Sequence, residues 1–401
     1  MAVEGEVKRV KAPRSERIKA GWRCFSRAFN REVSFAFRKP VIHWLCWIFP
    51  LLLFGLISSN FSEGTLLDLP VSVVDNDHSS LSKTLTRKLD AGSHAHVQAF
   101  EGGLPEAVYR LRTAQDYALL YIPNDFEADV LAGKQPSVVL YYNALFYGAG
   151  LYSTQDFSGL ITELNTSYRS IIATEIGKTL PSLASVDLSY GSLFNASGSY
   201  IYYQQFAATI HLLQLFTVTC MIYVMARSQA LLSAPSFTLA LLGKLAPYTL
   251  CFTTLLMVEI AMLVGFFDAR VSGNPLYMVV IGFFYVIAAQ SLGLLLFTFT
   301  KTTITAYTMM GIFVSIALTF SGMAVPVLSM PLPARIISGI EPLSYALAAM
   351  FDVFLREVSV RGILMVCCIL LIYPLLTGLL VRRRPGGGSF FCSTSPCTCR
   401  A

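Results

Sequence analysis

The sequence predicts a polytopic α-helical membrane protein with six transmembrane helices and an inserted extracytoplasmic α/β domain. Three observations carry that expectation. Hydrophobic residues fill 54% of the 401 positions and charged residues only 13%, where a soluble domain carries about 25% charged residues. The apolar residues gather in six runs, 41–58, 204–226, 245–267, 276–300, 302–325 and 360–381, each near the roughly 20 residues that cross a bilayer. Between the first two runs lies a long polar segment, residues 60–203, in which short β-rich stretches alternate with helical ones.

Residues 1–40 form a basic arm with eleven Lys/Arg against four acids, whereas residues 60–203 hold eight against fifteen. Basic residues flanking spans mark the cytoplasmic side, so the arm is expected inside and the inserted domain outside. Six crossings then return Arg382, Arg383 and Arg384 to the cytoplasm. Because the charge is segregated along the membrane ends, the net +6 points to a bilayer partner and away from nucleic acid. Within the arm, Ile18, Trp22, Phe25 and Phe29 share one helical face flanked by Arg and Lys. That is the pattern of an interfacial helix lying on the inner leaflet, ended by Pro40. The first span, residues 41–59, lacks a small-x-small cleavage site and reads as an anchor rather than a cleaved signal.

The inserted segment gives strands at LPVSVVD, AHVQAF, YALLYIP and PSVVLYY, and helices at SSLSKTLTRKLDAG, LPEAVYRLRTAQ and DFEADVLAGK. A longer helix over roughly 152–180 leads back toward the membrane. Such alternation argues a compact α/β domain. No cysteine falls between residues 60 and 203, so the domain has no disulfide framework. Residues 204–384 then hold five closely spaced spans. The connection 326–357 carries Pro326, Pro331, Pro333 and Pro342 beside Glu341, and reads as an external re-entrant or interfacial element. Residues 385–401, rich in glycine and cysteine, read as a disordered tail.

The chemistry of catalysis is sparse. Asp75, Asp77 and His78 read as a turn, with Asp77 or Ser79 capping the next helix; His94 and His96 read as exposed polar positions on one strand face, and no metal site is expected. Gly177-Lys178-Thr179 lacks the leading glycine of a phosphate loop, and Gly243-Lys244 is followed by Leu245, so the chain is expected to have no nucleotide site of its own. Ionisable and amide groups within spans are costly and invite a role. They are Glu259, suited to a subunit interface, a pathway or a buried hydrogen bond, and His211, Gln214 and Gln290, suited to interhelical bonding. The amphipathic stretch ARSQALLSAPSFTLALLGKLAPY, residues 226–248, joins the second and third spans on the cytoplasmic side.

The whole order of parts, with LPVSVVDNDHSSLSKTLTRKLDA after the first span, YALLYIPNDFEADVLAGKQPSVVLYYNA in the inserted domain and GMAVPVLSMPLPARIISGIEPLSYALAAM before the last span, resembles the ABC-2 type permeases of bacterial exporters. It is similar to the multidrug subgroup with a large periplasmic domain. The resemblance implies a subunit of the bacterial inner membrane that pairs with a second permease subunit and docks a separate ABC ATPase. The partner would hold ATP and magnesium, and a hydrophobic or amphipathic substrate would leave the cytoplasm by alternating access. It further implies that the N-terminal helix and the 226–248 loop (Arg227, Leu231, Leu232, Pro235, Gly243, Lys244) form the coupling surface, and that residues 326–357 form an outer gate. A periplasmic adaptor and outer-membrane channel are possible further partners. The loop departs from the family's acidic Gly-Thr-containing element, reading Arg227-Ser228-Gln229-Ala230, which leaves room for coupling through the N-terminal helix or a heteromeric pair. A proton-coupled carrier using Glu259, and a receptor or scaffold with an external sensor domain, are the alternatives.

Overall fold

A computed structural model describes residues 14–61, 64–98, 100–132, 134, 136–143, 147–176, 199–227, 236–267, 269–300 and 302–383. The chain divides into two compact units, one of residues Met1–Ser62 with Ser199–Ala401 and the other Glu63–Gly198.

The first unit is helical. Helix α1 (Arg14–Arg38) ends where Lys39, extended at φ −113° and ψ 110°, precedes Pro40; the proline ring disfavours helical backbone in the residue before it. Helix α2 (Pro40–Asn60) follows, with a π turn at Trp44–Ile48. Pro50 lies just beyond that turn and cannot donate back into the helix, so the wider turn takes up the clash its ring would make with the preceding carbonyls. Then come α7 (Ile201–Met225), α8 (Phe237–Phe266), α9 (Pro275–Phe299), α10 (Thr303–Phe320) and α13 (Val360–Arg383). Two side chains cap their N-termini: Asn274 accepts from Leu276 N, and Thr302 from Thr305 N, each satisfying an orphan helix donor. Between α10 and α13 lie α11 (Leu332–Ile340) and α12 (Pro342–Leu355), bent by 81°. Among the described residues, six helices are long and apolar enough to cross a membrane, or seven if the bent pair counts as one.

The spans are not equivalent. Over an apolar 18-residue stretch of each, α7 is 67% and α9 61% covered by protein, against 44% for α8, 28% for α2 and 22% for each of α10 and α13. Helices α7 and α9 therefore form the centre. Gly293 of α9 explains their close approach, because a Cβ there would stand 2.7 Å from the Met221 Cβ, inside van der Waals contact; small residues serve this purpose in membrane helix packing.

The second unit is a four-stranded sheet of order β2-β1-β3-β4, from β1 (Leu69–Asp75), β2 (Ala95–Gln98), β3 (Ala118–Ile122) and β4 (Val139–Tyr142). Strands β2, β1 and β3 run parallel, and β4 is antiparallel to β3. Helix α3 (Ser80–Asp90) connects β1 to β2, and α4 (Leu104–Arg112) connects β2 to β3. Since β2 and β3 flank β1 on opposite sides, right-handed crossovers put the two helices on opposite faces. The strand alternation agrees. Ala118, Leu120 and Ile122 pack with Leu81, Leu85 and Leu89 of α3, while Leu119 packs with Ala107 and Leu111 of α4. Helices α5 (Phe126–Leu131) and α6 (Tyr147–Ile176) complete the unit, and Leu160 of α6 joins the α3 face.

Candidate functional site

The N-terminal helix is clamped to a membrane span rather than lying on lipid alone. Glu32 of α1 is buried, and its Oε2 accepts from Lys244 Nζ at 3.0 Å while its Oε1 accepts from Tyr248 OH at 2.8 Å. Lys244 and Tyr248 stand four residues apart on α8, hence on one helical face. Gly243 makes the approach possible: a Cβ there would lie 2.4 Å from the Phe25 carbonyl oxygen. The expectation of a loop across 226–248 is therefore corrected in its second half. Gly243 and Lys244 belong to the continuous helix Phe237–Phe266, because the amphipathic stretch from Phe237 runs on into the apolar third span without a helix break. Lys244 is buried and paired, not presented in a loop. Arg227, at the end of α7, lies with its guanidinium 4.1 Å from the Phe35 ring centre and 4.0 Å from that of Tyr223, close enough for cation–π attraction. Leu231, Leu232 and Pro235 fall outside the described residues. On α1, Trp22, Phe25 and Phe29 form a stacked row with ring centres 5.5 and 6.1 Å apart, and Trp22 is 69% exposed.

The second cluster is a chain of buried polar groups. Gln214 Nε2 of α7 donates to Glu341 Oε1 at 2.6 Å, and Tyr285 OH of α9 donates to Gln214 Oε1 at 3.1 Å. Glu341 is the single residue between α11 and α12. It stays extended (φ −88°, ψ 124°) because Pro342 follows it, and Pro342 in turn opens α12, where a missing N–H costs nothing. The break between the two helices thus has a covalent cause at Pro342. Pro326, Pro331 and Pro333 are exposed beside it, and Pro342 and Glu341 are buried. The remaining intramembrane residues stand apart from this chain: Gln290 accepts from Thr249 Oγ1 at 2.8 Å, while among the described residues Glu259 Oε2 and His211 Nδ1 have no hydrogen-bond partner.

A model of ABC-2 family transporter proteins matches residues 41–383. The chain belongs to that family. No curated protein matches it. This ABC-2 transporter protein is thus a multi-pass membrane protein and a transporter permease, and membership implies an ABC ATPase partner in general.

The inserted unit of this ABC-2 protein holds its own polar cluster. Asp116 is fully buried; Arg110 donates from Nε at 2.7 Å and from Nη2 at 2.8 Å to its two oxygens, and Ser72 donates its hydroxyl as well. Burial pushes the carboxyl upward, but the bonds from Arg110 and Ser72 outweigh it and hold it below the ordinary value of 3.8. His94 is not the exposed residue expected: its Nδ1 lies 2.9 Å from Asp156 Oδ1, and its ring stacks on Tyr152, because α6 folds back over the start of β2. Ser79 caps α3 by accepting from Ser82 N, while Asp75 Oδ1 receives the backbone N–H of Asp77 and His78. Among the described residues, no three of His, Cys, Asp and Glu gather as metal ligands would.

Sequence reasoning missed Glu32, Tyr248 and Tyr285. Glu32 is the one acid in the arginine-rich second half of the arm, a signal that could have marked it. Tyr285 carried none, since a tyrosine in an apolar run reads equally well as a membrane-interface anchor.

Proposed function

We propose that this chain is the membrane-spanning permease subunit of an ATP-driven exporter of the bacterial inner membrane. The observation that carries this reading is the family match over residues 41–383. Hydrolysis belongs to a separate ABC ATPase, which holds the ATP and magnesium, so the chain itself binds no cofactor and catalyses no reaction. Two permease subunits pair, identical or not, and both termini lie in the cytoplasm, in keeping with the basic arm of residues 1–40. The inserted α/β domain faces the periplasm, where an adaptor and an outer-membrane channel are its natural partners. A hydrophobic or amphipathic substrate leaves by alternating access, with residues 326–357 as the outer gate.

The clamp between α1 and α8 supports a coupling role. An amphipathic helix pinned to a span by a buried ion pair and a glycine contact moves with that span, so closure of an ATPase against α1 would be passed into the bundle. This is where coupling can run although residues 227–230 lack the acidic, glycine-bearing element. A proton-coupled carrier is the second reading, and Glu259 Oε2, without a partner among the described residues, favours it.

The deciding experiment is a detergent pull-down of the native protein, with mass-spectrometric identification of partners and an ATPase assay. Recovery of an ABC ATPase, lost when Gly243→Leu pries α1 from α8, supports the exporter and its coupling route. A stable complex without an ATPase would sink that reading and favour the carrier, to be tested as gradient-driven transport by Glu259→Gln.

A further inference from the structure

Three side chains of two spans hold the segment between α10 and α12. Tyr203 OH of α7 donates to the Met323 carbonyl, Tyr373 OH of α13 to the Ile340 carbonyl at 2.8 Å, and Gln214 of α7 to Glu341. The first two are exposed bonds to backbone. The third joins two side chains, both buried, with Gln214 fully so and Glu341 6% exposed.

Its chemistry is directional. Gln214 turns its amide nitrogen to Glu341, whose Oε1 accepts at 2.6 Å. That leaves Oε1 for a donor, and Tyr285, itself fully buried, supplies one at 3.1 Å. Tyr285 therefore fixes the amide orientation that Glu341 requires, and the chain runs from the central helix α9 through α7 to the bend. Removing the middle member leaves the buried Glu341 without this donor, while the Tyr285 hydroxyl keeps only the Ile210 carbonyl, 3.3 Å away; that is costlier than losing one exposed bond.

We propose that Gln214 is the positioning residue of the bent pair: backed by Tyr285, it latches Glu341 and thereby sets the angle between α11 and α12. That the latch governs passage of a substrate rests on the reading of residues 326–357 as a gate; the latch itself does not.

Hydrogen exchange of the full-length protein in lipid nanodiscs, read by mass spectrometry on peptides covering α11 and α12, tests it. In Gln214→Leu, exchange across residues 338–345 rises about tenfold or more, the scale of one lost buried hydrogen bond, while α9 stays within about twofold of native. The interchange Gln214→Glu with Glu341→Gln keeps one amide, one carboxylate and the Tyr285 donor, and brings exchange back to within about twofold of native. A carboxylate needed at 341 for its own sake would not survive that interchange. Unchanged exchange in Gln214→Leu, or an interchange that stays open, overturns the latch. Should Gln214→Leu fail to fold, Tyr285→Phe gives the same comparison with a smaller rise. ATP hydrolysis by the complex recovered in the pull-down is measured on the same variants. Native turnover with an open bend would remove the gate reading and leave the latch standing.

Discussion

Gly243 and Lys244 are sequence neighbours that hold α1 by opposite means, one by being absent and one by being charged. At Gly243 the missing side chain lets the Phe25 carbonyl sit where a Cβ would be, at 2.4 Å. At Lys244 a cation is taken from water and depends on the Glu32 carboxylate for its solvation. Removing one member of such a pair leaves an uncompensated buried charge, whereas replacing both with apolar groups can be nearly neutral. Lys244→Met is therefore expected to destabilise the protein by about 3–5 kcal/mol, with Glu32→Met added to it recovering most of the loss. Thermal unfolding in detergent of both variants checks this; equal melting temperatures for the single and double variants would contradict it. The pair also shows what a sequence withholds. Glu32 and Lys244 are 212 positions apart, and neither residue's local pattern names the other.

At the scale of elements, the α/β unit was the most legible part of the chain. Its four strands announce themselves as short runs of aliphatic, aromatic and β-branched residues, and each helix by its apolar spacing. What no pattern announced is the tie among β1, α4 and the turn before β3 made by Ser72, Arg110 and Asp116. Those bonds hold the Asp116 carboxyl below its ordinary 3.8, so the unfolded chain takes up the proton first. The stabilisation is whole well above 3.8 and drains away as pH falls through that value toward the lower, folded one. Hydrogen exchange of the β1 and β3 peptides in the intact protein should thus lose protection as pH drops from about 5 to about 2, after correction for intrinsic rates. Asp116→Asn should be less protected at neutral pH and flatter across the same range; an identical slope in the variant would exclude Asp116 as the cause. The spans were legible in number, but the extent of α8 was not, because an amphipathic stretch and a greasy one can continue a single helix. The bend at Glu341 was foreshadowed by its prolines, and its anchorage to Gln214 was not, since Tyr285 and Glu341 lie 71 and 127 positions from it.

For the membrane unit as a whole, burial divides the spans into a core and a rim. Helices α7 and α9 are mostly enclosed, while α13 turns Leu364, Met365 and Leu375 outward and Leu370 inward. A lipid-soluble carbene reagent should label the three outward residues several-fold more than Leu370. Even labelling would mean that α13 is not packed as described. The same arrangement leaves α2 and α10 with wide apolar faces, and apolar surface in a bilayer meets either lipid tails or another helix. The paired buried charges have one more consequence, and it concerns time. A ribosome adding about 5–20 residues per second needs roughly 10–40 seconds to make Lys244 after Glu32. Throughout that interval α1 exists without the partner that neutralises it, and only the insertion of the third span lets it settle. Helix α1, made long before α8, thus waits for that span before it finds its place.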